Sequence, residues 1–70
     1  MNISIKEHII NNFKNDNEDD IMIAINESVE NNDEITLPGL GVFMNLLWEQ
    51  SNKEEKEKIV KKIKEALAKN

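Results

Sequence analysis

The chain has 70 residues, a formal net charge of −5 and no cysteine. A domain of this size (residues 1–70 as one unit) buries only about 60% of the surface its unfolded chain exposes, and no disulfide can supplement so small a core. The amino terminus lacks the basic-then-apolar pattern of a secretory leader, and no apolar run nears the roughly 20 residues of a bilayer span, so a cytoplasmic-type chain outside the membrane is expected.

Ser4-Ile5-Lys6-Glu7 fits a capping box and opens a first helix whose apolar face is Ile5, Ile9, Ile10 and Phe13. The polar run from Asn15 to Asp20 ends that helix and starts the next, since Asn and Asp cap helices and carboxylates suit the positive end of the dipole. The second helix is expected from about Glu18 to Asn31, with Ile21, Ile25 and Val29 inward, Met22 and Ala24 on the flanks, and Asn31-Asn32-Asp33 closing it. Ile21, Ile23 and Ile25 also alternate as in a strand, but the acidic first turn and the Val29 repeat favour helix.

Glu34-Ile35-Thr36-Leu37 precedes proline and reads as an extended connection. The segment Leu37-Pro38-Gly39-Leu40-Gly41-Val42 then holds the only proline and both glycines of the chain, which predicts a defined corner between the second and third helices. After Gly41 the periodicity fits either a strand or a helix. Met, Asn, Leu and Glu favour helix, from about Val42 to Gln50 and including Trp48. Ser51-Asn52-Lys53-Glu54 is a second capping box, opening a helix from Asn52 to about Ala68 with Ile59, Val60, Ile63, Ala66 and Leu67 as its apolar stripe. The fold class expected is all-α: a small four-helix domain with a Leu-Pro-Gly-Leu-Gly corner. Its expected core is Ile9, Phe13, Ile21, Ile25, Val29, Leu40, Phe43, Leu47, Trp48, Ile59 and Ile63.

The charge is divided along the chain. Residues 1–52 carry two lysines against ten carboxylates, and residues 53–70 carry seven lysines against four glutamates. An acidic body with a mildly basic tail repels a polyanion, so strong nucleic-acid binding is not expected. Apolar faces left over by so short a chain can instead be buried in a homodimer.

Chemistry is sparsely provided. His8 is the only histidine and there is no cysteine, so neither a catalytic set nor a zinc site can be assembled in the usual way. The acidic run Asp16 to Asp20 lacks the glycine and the twelve-residue spacing of a calcium loop, and capping accounts for it. Gly39-Leu40-Gly41 matches neither dinucleotide nor P-loop glycine patterns and has no following lysine. No cofactor, metal or small-molecule ligand is identifiable, and the chain is read as non-enzymatic. Trp48, with only Phe13 and Phe43 as further aromatics, is read as a packing residue rather than a base-stacking platform.

The Leu37-Pro38-Gly39-Leu40-Gly41-Val42 turn, followed by an aromatic, an apolar run and Trp48, resembles the minor small acid-soluble spore proteins of the I type. The likeness covers nearly the whole chain, from the isoleucine- and asparagine-rich first helix (Ile9-Ile10-Asn11-Asn12) to the charged last one. It departs at Asn45, where the family frequently carries an acidic residue. The abundance of Asn, Ile and Lys and the absence of arginine suit A- and T-rich codons. What the resemblance implies is a protein made in the forespore and stored in the spore core of an endospore-forming bacterium, with the seven motif residues as structural marks and no known molecular mechanism. A second likeness, to the amino-terminal half of HU-type architectural proteins, rests on two helices followed by Ile35-Thr36-Leu37-Pro38-Gly39-Leu40-Gly41-Val42-Phe43. It lacks the long basic β-arms that enter the minor groove. It leaves, as the alternative, nucleic-acid association through Lys61, Lys62 and Lys64.

Overall fold

The computed structural model describes residues 4–31 and 34–70, and these form four helices in the order α1 (Ile5–Phe13), α2 (Glu18–Asn31), α3 (Leu37–Gln50) and α4 (Lys53–Ala68). Among the described residues there is no strand. The all-helical reading therefore holds, and the ambiguous stretch 42–50 is helix.

The first two helices start as their caps dictate. The Ser4 hydroxyl accepts from the Glu7 amide at 3.1 Å, and the Asn17 side chain accepts from the Asp20 amide at 2.8 Å. Glu18, Asp19 and Asp20 then occupy the first turn of α2, where the helix dipole favours them. Asn32 and Asp33, expected to help close α2, lie outside the described residues.

The expected corner is not where the chain changes direction. Leu37 to Gly41 are the opening residues of α3, which begins at Leu37 instead of Val42. Thr36 precedes the helix and Pro38 sits in its first turn, where a missing amide costs no intrahelical bond. Leu37, expected to be extended because proline follows it, is already helical, and the connection has moved upstream of it. The Thr36 hydroxyl donates to the Ser28 carbonyl at 3.3 Å, tying the start of α3 to the end of α2.

The fourth helix also shifts its cap by one residue. Asn52, not Ser51, is the N-cap: its side chain accepts from the Glu55 amide, and its own amide donates to the Glu55 carboxylate, both at 2.9 Å. Ser51 is engaged in ending α3, where its hydroxyl donates to the Leu47 carbonyl at 2.6 Å.

Packing centres on α3, which both α1 and α2 contact. Phe13 meets Phe43 edge to face, with ring centroids 5.2 Å apart and planes at 72°. Lys6 pairs with Glu49 at 3.0 Å across the surface of α1 and α3. The core is thinner than the sequence suggested. Val42, 9% exposed, is the one buried residue among the described residues, and it was not among those expected inside. Ile9, Phe13, Ile21, Ile25, Leu40, Phe43, Trp48 and Ile59 are half-buried, whereas Val29, Leu47 and Ile63 are exposed. The expected stripe on α4 fails for the same reason: Val60, Ile63, Ala66 and Leu67 all face solvent, because α4 is not laid along the other three helices.

Candidate functional site

The motif residues divide over two faces of α3. Helical spacing of three and four puts Gly39, Val42, Phe43 and Leu46 on one side, and Gly41, Met44, Asn45 and Trp48 on the opposite one. The first side meets α1 and α2. A Cβ built on Gly39 would lie 3.6 Å from the Ile9 side chain, an ordinary contact. The second side borders an open groove of about 480 Å³ shared with Val60 and Ile63 of α4. A Cβ on Gly41 would meet no atom within 4 Å, so this glycine leaves a shallow notch in the groove wall. Neither glycine serves a strained turn, since both lie within the helix.

The remaining motif positions follow from the same geometry. Leu37 and Pro38 are exposed at the start of α3, Leu40 is half-buried between the two faces, and Trp48 is half-buried at the groove end. The Lys56 ammonium lies 5.3 Å from the Trp48 ring centroid, a cation–π contact that joins α4 to α3. Trp48 thus packs at the α3–α4 junction. The groove partners Met44, Val60 and Ile63 were missed as a set, although the spacing of Gly41, Asn45 and Trp48 marked the face that receives them.

Two further grooves, of about 330 and 400 Å³, flank the Phe13–Phe43 pair. Their walls are mostly aliphatic, with Lys14 and Asp16 at the edge of one and Ser28 and Thr36 in the other. His8 is exposed on α1. Among the described residues, no group of three or more His, Cys, Asp or Glu side chains is placed to hold a metal ion. No helix of the described residues is long and apolar enough to cross a membrane. What this surface offers chemically is apolar contact bordered by charge.

The sequence profile of the Small, acid-soluble spore protein I family matches residues 3–67. The chain belongs to this family. Among its relatives is the small, acid-soluble spore protein I of Halalkalibacterium halodurans, 28% identical over 67 residues that cover 96% of this chain and 98% of the relative. The proteins of the same name from Geobacillus kaustophilus and Bacillus subtilis are each 25% identical over 67 residues, covering 96% of this chain and 97% and 94% of theirs. No solved structure matches this spore-protein chain. The match, from residue 3 to residue 67, reaches from α1 into the last turn of α4.

Proposed function

We propose that this chain is a non-enzymatic protein of the spore core, synthesised in the forespore, that acts through contacts of its helix surfaces. The observation that carries the reading is the family match over residues 3–67, which runs from α1 into the last turn of α4. The surface supports it: His8 is solvent-exposed on α1, and the grooves beside α3 are walled by aliphatic and aromatic side chains. A fluorescent fusion followed through sporulation tests the location. Signal confined to the forespore and retained in the spore is expected, and signal found only in vegetative cells would sink the proposal. A His8→Ala variant is expected to match wild type in spore resistance and outgrowth, and loss of function in a folded variant would return an enzymatic role to consideration.

One observation favours a second reading, association with nucleic acid. Lys61, Lys62 and Lys64 all lie on the fully exposed half of α4. Their reach is opposed by the acidic body, and so few lysines can release only a few counterions. Titration of duplex DNA at low and moderate salt decides it: binding with a salt slope supports association, and no binding at either salt removes it.

A further inference from the structure

α3 and α4 are joined by Ser51 and Asn52 alone, both with extended backbone. A link this short is the connection of an antiparallel helical hairpin. The hairpin stands open. Its helices meet beside the link, where Lys56 lies over the Trp48 ring. Farther out, both walls of the cleft face solvent: Met44 is 37% and Leu37 53% exposed on α3, and Val60 is 51%, Ile63 44% and Leu67 67% exposed on α4.

The two walls match. Outward from the link, α3 presents Trp48, Met44, Gly41 and Leu37, in steps of four, three and four residues. α4 presents Lys56, Val60, Ile63 and Leu67, in the same steps. Four-three-four is the spacing of a helix seam that packs on another helix, and equal steps in opposite chain directions keep two such seams in register. The register begins at an observed contact, Trp48 with Lys56, and continues along one groove whose walls are Gly41, Met44, Asn45 and Trp48 on one side and Val60 and Ile63 on the other. It sets Met44 against Val60, the branched Ile63 against the open space at Gly41, and Leu37 against Leu67. Charge does not oppose the approach. Glu49 is the one charged residue of α3, so Lys53, Lys61 and Lys64, which flank Val60, meet no like charge there.

The link is free to act as a hinge. The Ser51 hydroxyl and amide bond back to Leu47 and Trp48 of α3, whereas Asn52 exchanges its capping bonds with Glu55 of α4. Each bond stays within its own helix, so rotation between Ser51 and Asn52 breaks none of them. We propose that the α3–α4 hairpin is a hinged clasp: α4 swings about Ser51-Asn52 and zips onto α3, seating Ile63 at Gly41 and Leu67 on Leu37. The open chain presents an apolar cleft, and the closed chain hides it within the same molecule.

The full chain has no cysteine, so an introduced pair reads the closure directly. Leu37→Cys with Leu67→Cys joins the outer ends of the seams, and a disulfide forms only when their Cα atoms come within about 7 Å. Under dilute, mild oxidation this pair should form an intramolecular disulfide about tenfold faster than Leu37→Cys with Glu65→Cys, which lies on the far side of α4. Ile63→Glu, a change at an exposed position, should slow the first pair about tenfold by placing a charge in the seam. In the unaltered chain, nuclear Overhauser contacts are expected between the side chains of Leu37 and Leu67 and of Met44 and Val60. Equal rates for the two pairs, disulfides formed only between molecules, indifference to Ile63→Glu, or absence of the Leu37–Leu67 contact would each overturn the proposal.

Discussion

α3 and α4 have 14 and 16 residues and stand next to each other in the chain, but they are helical for opposite reasons. α3 contains a proline and two glycines, and Thr36 gives it no side-chain cap. Glycine alone costs a helix about 1 kcal/mol per residue relative to alanine. What holds α3 is its neighbours: α1 and α2 both pack on it, and Phe43 and Val42 are its anchors. α4 is built from Lys, Glu, Ala, Leu and Ile, begins with a complete capping box, and touches the rest of the chain chiefly near its start, through Lys56 and Ile59. Local preference forms α4, and tertiary packing forms α3. A helix of 16 residues with little packing is marginal in water.

This contrast can be broken experimentally at several points. The largest effect is expected from Phe43→Ala, which removes the edge-to-face contact with Phe13 and part of the small core. A loss of about 2–4 kcal/mol should melt α1 to α3 together while α4 keeps its helicity, as followed by residue-resolved chemical shifts. Simultaneous loss of α4 would show that the two regions are not separable. Asn52→Ala attacks the other helix: losing the bond from the Glu55 amide to the Asn52 side chain should cost about 1 kcal/mol and fray α4 while leaving α3 protected from hydrogen exchange. Gly41→Ala sharpens the comparison in the opposite direction. It should stabilise α3 by up to about 1 kcal/mol, because the added methyl meets open space. The smallest change belongs to Lys6→Ala. Its pair with Glu49 is solvent-exposed, and a thermal melt should shift by less than the equivalent of about 0.5 kcal/mol.

The same contrast explains what the residues disclosed in advance. α2 is legible from end to end, because its polar run and apolar spacing act locally, and Glu18 to Asn31 is the range the structure shows. α4 is legible as a helix, but its surroundings are not. A stripe such as Ile59, Ile63 and Leu67 is the same in sequence whether it faces its own chain or solvent. The start of α3 was misread for a physical reason: Pro and Gly signal a turn when taken locally, but proline is also at home in a helix's first turn, and packing on α1 and α2 offsets the glycines. Val42 was missed because it was read as the edge of a turn, whereas helix geometry from Leu37 puts it on the same side as Gly39 and Phe43. The outward face of Gly41, Asn45 and Trp48 was within reach of spacing alone once α3 was extended back to Leu37.

With Val42 as the one buried residue among the described residues, this protein hides very little. That has a bearing on its behaviour in acid. The chain is isoelectric near pH 4.8, and once its 14 carboxylates are protonated its nine lysines and one histidine leave it at about +10. A protein with a large interior coagulates under such treatment because denaturation uncovers sticky surface faster than charge can separate the molecules. Here denaturation has almost nothing left to uncover, and mutual repulsion keeps the strands of polypeptide dispersed. A thin core and a large positive charge together predict solubility in acid.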